Sequence, residues 1–170
     1  MNNKKFRQYF GLLMALVSYY LVHEGAHFLY AITAGVFKDI NIVNIIGVQV
    51  DVYREQMSDV MLGEFCLMGP VATFVASWIL ILLTKQFCKS EGKIFLATMY
   101  YITIVMMFLD PLYLSVLYRF VGGGDMNGIA LLFSETGFSI ICGAIFLLNV
   151  FIFVKKILPA YKNAFNRIND

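Results

Sequence analysis

Histidine is nearly absent from this chain: 170 residues contain two, His23 and His27. Charge is scarce too, at 14% of residues against about 25% in ordinary globular domains, while hydrophobic residues reach 60%. That balance excludes a typical soluble domain and reads as an integral membrane protein. The net charge of +2 comes without a dense basic run, which argues against nucleic acid as a partner. Three cysteines, Cys66, Cys88 and Cys142, lie in or beside apolar runs with no C-x-x-C spacing. A thiolate metal site or disulfide framework therefore has little support, and they read as packing residues. There are three prolines, no internal repeat and no low-complexity linker. Residues 1–170 read as a single integral-membrane domain.

What is present in quantity is apolar sequence. A helix crossing the hydrocarbon core needs roughly 20 such residues, and four segments qualify, near 9–34, 60–84, 94–118 and 137–157. The basic start, "MNNKKFRQYF", resembles that of a signal peptide. No small-residue cleavage site precedes residue 23, so the first span reads as uncleaved. Cytoplasmic loops are enriched in Lys and Arg. With the N-terminus inside, Lys4, Lys5, Arg7, Lys85, Lys89, Lys93, Lys155, Lys156, Lys162 and Arg167 are cytoplasmic, and Lys38, Arg54 and Arg119 are outside. The expectation is a multi-pass protein of the cell membrane with both termini in the cytoplasm.

Between the first two spans, Ile46, Val48, Val50 and Val52 alternate with Gly47, Gln49, Asp51 and Tyr53. A period of two predicts a strand, here in a short β-hairpin over 39–53 at the membrane surface. The fold class expected is thus all-α membrane protein, with about four transmembrane helices and one hairpin.

Both histidines fall within the first span, in "YYLVHEGAHFLYA". Four residues apart on a helix, they share a face and can share a metal ion. Glu24, offset by one residue, suits a general base beside the metal. This is the H-E-x-x-H arrangement of zinc hydrolases. Ionisable residues at bilayer depth are costly and mark functional sites by default; a shared metal gives all three a reason to be there. A catalytic zinc needs a third protein ligand, and with no further histidine it has to be a carboxylate: Glu64, Asp110, Asp125 or Glu135. Asp110, in "MMFLDPLYL", lies at a depth matching His23. Asp125 follows three glycines in "VGGGDMNGIALLF", where a permissive backbone could fold back into the membrane and begin a short helix. Both remain open, Asp125 preferred and Asp110 the alternative.

These motifs resemble the intramembrane metalloproteases of the site-2 protease family over residues about 15 to 135. "HEGAH" matches that family's H-E-x-x-H, "LMGPVATFVAS" is similar to its Gly-Pro helix with Gly69 and Pro70 in place, and "GGGDMNG" resembles its Asp-Gly segment. Thr73 stands where the family usually has Asn, and there is no PDZ-like insertion. The resemblance implies a Zn²⁺ endopeptidase with His23, His27 and Asp125 as ligands, Glu24 as base, and Gly69 and Pro70 at the substrate; the hairpin edge, with Ile46, Val48 and Val50, could clamp an extended substrate by strand addition. That substrate would be a membrane-spanning protein or peptide in the lipid bilayer. A different class of function, a small transporter or metal-handling protein, would use His23, Glu24 and Asp110 as an ion path. A third would keep the fold as a scaffold without catalysis.

Overall fold

The computed structural model describes residues 4–43 and 47–169 of the chain. Four helical runs are long and apolar enough to cross a membrane, and an antiparallel two-stranded hairpin joins the first to the second. The chain is an all-α membrane protein with a hairpin, as the apolar segments and the period-two stretch predict. Large apolar side chains stay exposed along the helices, Leu21, Leu82 and Phe151 among them. Such a surface suits lipid.

Helix α1 (Lys4–Thr33) buries Gly11, Ala15, Tyr19, His23, His27 and Ala31. The spacing is four throughout, a single ridge of the kind that packs into a neighbour's groove. Small residues at both ends let α1 approach its neighbours, and a Cβ added at Gly11 would lie 2.7 Å from Tyr101. The polar residues of the ridge are therefore held in the middle. The helix ends in a Schellman motif: Gly35 at φ 71° donates to Ile32 O, and Val36 donates to Ala31 O. Strand β1 (Phe37–Val43) follows at once.

Strand β2 (Gly47–Val52) pairs with β1, with Ile40 opposite Val50 and Ile42 opposite Val48. Val50 is buried while Ile42 is exposed, so β2 is the strand that faces the helices. Ile46, expected beside it, lies outside the described residues. Helix α2 (Asp59–Phe87) starts at the N-cap Ser58, whose hydroxyl accepts from Met61 N–H. It runs on through Pro70.

Helix α3 (Lys93–Leu112) contains Pro111. Proline lacks the N–H that would bond the carbonyl four residues back, here that of Met107. Asn149 from the fourth run donates its Nδ2 to this carbonyl at 2.5 Å and is itself fully buried. A π-helical turn, Tyr113–Leu117, follows, and α4 (Tyr118–Val121) completes the run. Gly122 and Gly124 then take positive φ, 90° and 43°, which opens a short return into α5 (Gly124–Ile129). Gly128 of α5 sits against Cys66 and Gly63 against Leu132 so closely that neither has room for a Cβ. The fourth run comprises α6 (Glu135–Ile152), a π turn (Phe153–Ile157) and α7 (Leu158–Asn169).

Two of the four runs extend well past the expected apolar limits, the first beginning at Lys4 and the last continuing through Asn169. Backbone hydrogen bonding carries a helix beyond its apolar stretch. At the far end α7 buries Tyr161 and Ala164 with Leu96 and Met107 of α3, a core that hydropathy along one segment does not reveal.

Candidate metal centre

Four elements bring one polar cluster together. The α1 ridge supplies His23 and His27, the start of α5 supplies Asp125, α3 supplies Asp110, and α2 closes the back with Gly69 and Thr73. His23 lies 19 residues and Asp110 17 residues from the first residues of their helices. At 1.5 Å per residue these are about 29 and 26 Å along the two helices, so the two side chains meet at one level.

The Nε2 atoms of His23 and His27 are 3.2 Å apart. Asp125 Oδ2 lies 3.1 Å from the first and 3.5 Å from the second. Two ligand atoms bound tetrahedrally to zinc at 2.0–2.1 Å are separated by about 3.3 Å. The three donors thus form a triangle of a size that could be one face of a tetrahedral metal site. Among the described residues they are the group of three that could hold a metal ion. No room is wasted behind them: a Cβ at Gly69 would lie 2.5 Å from His27 Nε2 and 2.7 Å from His23 Nε2.

The second nitrogen of each ring is committed elsewhere. His27 Nδ1 lies 2.8 Å from Phe65 O; a carbonyl only accepts, so Nδ1 carries the proton and the Nε2 lone pair is free. His23 Nδ1 lies 3.2 Å from Asp110 Oδ2, which assigns its tautomer the same way. Asp110 also accepts from Tyr19 OH at 2.5 Å and from the Thr73 hydroxyl. Buried with three donors around it, Asp110 orients His23 from behind, as carboxylates do for metal-bound histidines. The structure thus separates the two aspartates: Asp125 faces the Nε2 pair and Asp110 the far side of one ring. The other carboxylates lie apart, Glu64 accepting from Tyr30 OH and Glu135 from Tyr118 OH.

Asp125 is held in reach by its loop. Tyr113 donates its hydroxyl to Gly122 O at 3.2 Å, and a Cβ at Gly124 would collide with that same hydroxyl.

The cluster opens into a cavity of about 700 Å³, lined among others by Glu24, Val48, Val50 and Tyr113. Glu24 Oε2 accepts from Val50 N–H at 3.1 Å. The expected base is thereby tied to strand β2, which among the described residues has a strand partner on one side only. Gly69 and Pro70, expected at the substrate, flank the cluster on α2. Gly69 backs the histidines, and Pro70 lines a separate apolar cavity with Thr73, Asp110 and Pro111. The lining of the main cavity contains neither.

Tyr19, Tyr113 and the Phe65 carbonyl are site features that sequence reasoning did not find, while Thr73 was singled out only as standing in place of an Asn. Tyr19 alone had a signal, standing four residues before His23 on the same ridge. All three cysteines are free thiols, in keeping with packing roles. Compared with family models, curated proteins and solved structures, the chain matches none.

Proposed function

We propose that this protein is an intramembrane zinc-dependent endopeptidase. The observation that carries the reading is the Nε2, Nε2, Oδ2 triangle with 3.1–3.5 Å edges, facing a cavity that also holds Glu24. His23, His27 and Asp125 would hold the Zn²⁺. The metal, when bound, supplies a Lewis acid for the scissile carbonyl and lowers the pKa of water. The rest falls to the chain's own residues. Asp110, with Tyr19 and Thr73, keeps His23 in its tautomer and orientation. Glu24 takes a proton at its carboxylate from the attacking water and returns it to the leaving amine.

Peptide bonds in an intact helix are protected by their own hydrogen bonds, so the substrate has to be extended at the cut. Strand β2 supports this, because an unpaired edge accepts an extended segment by strand addition, and Val48 and Val50 already border the cavity. The substrate class is therefore a membrane-spanning protein or peptide, unwound locally beside β2. The resemblance to site-2 proteases agrees, and Thr73, in place of the usual Asn, contributes a hydroxyl to Asp110. Charge placement supports both termini in the cytoplasm of a cell-membrane protein.

The test is to purify wild type and Glu24→Gln, measure zinc stoichiometry, and assay co-reconstituted single-span proteins. Wild type is expected to bind one zinc and cleave, and Glu24→Gln to bind zinc without cleaving. Equal cleavage by the two would reject the mechanism.

A further inference from the structure

The end of the bundle away from the hairpin gathers the chain's cations. Lys4 and Lys93 open α1 and α3, Lys85 falls in the last turn of α2, and Arg167 in the last turn of α7. Between α1, α3 and α7 at this end lies a cavity of about 330 Å³. Its polar lining is Lys4, Arg7, Gln8, Tyr100 and Tyr101, completed by Ala97 and Phe165; no carboxylate contributes. Arg7 Nη1 is buried and has no hydrogen-bond partner among the described residues. A buried guanidinium N–H without an acceptor costs free energy, and the same Arg7 lines the cavity with its charge.

We infer that this cavity binds the phosphate of an anionic phospholipid headgroup. The cavity presents two cations and the lining tyrosines and glutamine as donors, a set suited to phosphate oxygens through charge-assisted bonds. Its depth is right as well. Ala97 stands four residues into α3, about 6 Å from the helix start, which is where headgroups meet the hydrocarbon. Phe6 and Tyr9 are exposed on α1 around Arg7, and Leu13 continues that apolar surface one turn deeper. Acyl chains attached to a phosphate in the cavity therefore have apolar surface to follow, which free phosphate would not use. Gly11 sets the floor, since the absence of its Cβ lets α1 close on Tyr101 and Ala97.

The full chain, purified in neutral detergent, is offered equimolar phosphatidylglycerol and phosphatidylcholine, and retained lipid is counted by native mass spectrometry. Wild type is expected to keep one phosphatidylglycerol in preference. Arg7→Gln should weaken that retention about tenfold or more, the size of a lost charge-assisted bond. Lys4→Gln, at the exposed first turn where folding is not at stake, should weaken it in the same direction. Lys155→Gln removes an equal charge outside the cavity and should leave retention unchanged. Equal retention of the two lipids, or equal loss in Lys155→Gln, would overturn the assignment. So would displacement of the lipid by millimolar inorganic phosphate, which would mark a site for the free anion.

Discussion

Asp110 and Asp125 differ in which nitrogen of His23 they address, and that difference sets what each substitution does. Asp125→Asn removes a proposed ligand and should abolish stoichiometric zinc binding. Asp110→Asn keeps all three ligands but loosens His23, and should lower zinc affinity by about 10- to 100-fold, the usual cost of losing an orienting partner. A chelator competition titration on both variants checks the order; an equal loss would remove the distinction. Gly69→Ala puts a methyl group 2.5 Å from His27 Nε2. The rings cannot retreat, because Phe65 O and Asp110 hold their other nitrogens. Overpacking of this kind costs about 1–3 kcal/mol, and the same titration should show a loss of about tenfold or more.

At the scale of elements, two features act at a distance from the metal. The Val50 amide is directed to Glu24 and away from Ile40 across the hairpin. Val50→Pro therefore removes the donor that restrains the base while sparing all three ligands. Zinc stoichiometry should be unchanged and cleavage should fall at least about tenfold, as for other misplaced catalytic groups. Unimpaired cleavage would show that β2 does not position Glu24. The second feature is the Pro111 break, sealed by Asn149. Asn149→Leu leaves the Met107 carbonyl buried without a donor, at a cost of about 1–3 kcal/mol. Thermal unfolding in detergent should register the loss. That His23 and His27 lie together was legible in the sequence, because a spacing of four on a helix guarantees a shared face. The hairpin was legible from its period of two. Neither Asn149 nor Thr73 announces its partner, since each bonds a group on another span.

On the scale of the whole molecule, the basic residues collect at the end opposite the hairpin, and orientation follows from which end faces the cytoplasm. In a cysteine-free background, Lys38→Cys in β1 should react with an impermeant maleimide on intact cells. Lys89→Cys, between α2 and α3, should react only after permeabilisation. The reverse pattern would invert the proposed topology.

The sequence by itself determined the membrane class, four helical runs, the hairpin and the His23, Glu24, His27 group, because hydropathy and local periodicity are each written within one continuous segment of chain. It left the choice of third carboxylate open. Asp110 and Asp125 lie 87 and 102 residues beyond His23, and neither spacing nor composition says which reaches Nε2. The tertiary structure brings Asp125 beside Nε2 through the positive-φ glycines that turn α5 inward, the Tyr113 hydroxyl that pins their loop, and the close seating of Gly128 on Cys66. Of these, the seating of Gly128 on Cys66 joins segments far apart in the chain and forms only once the helices have packed.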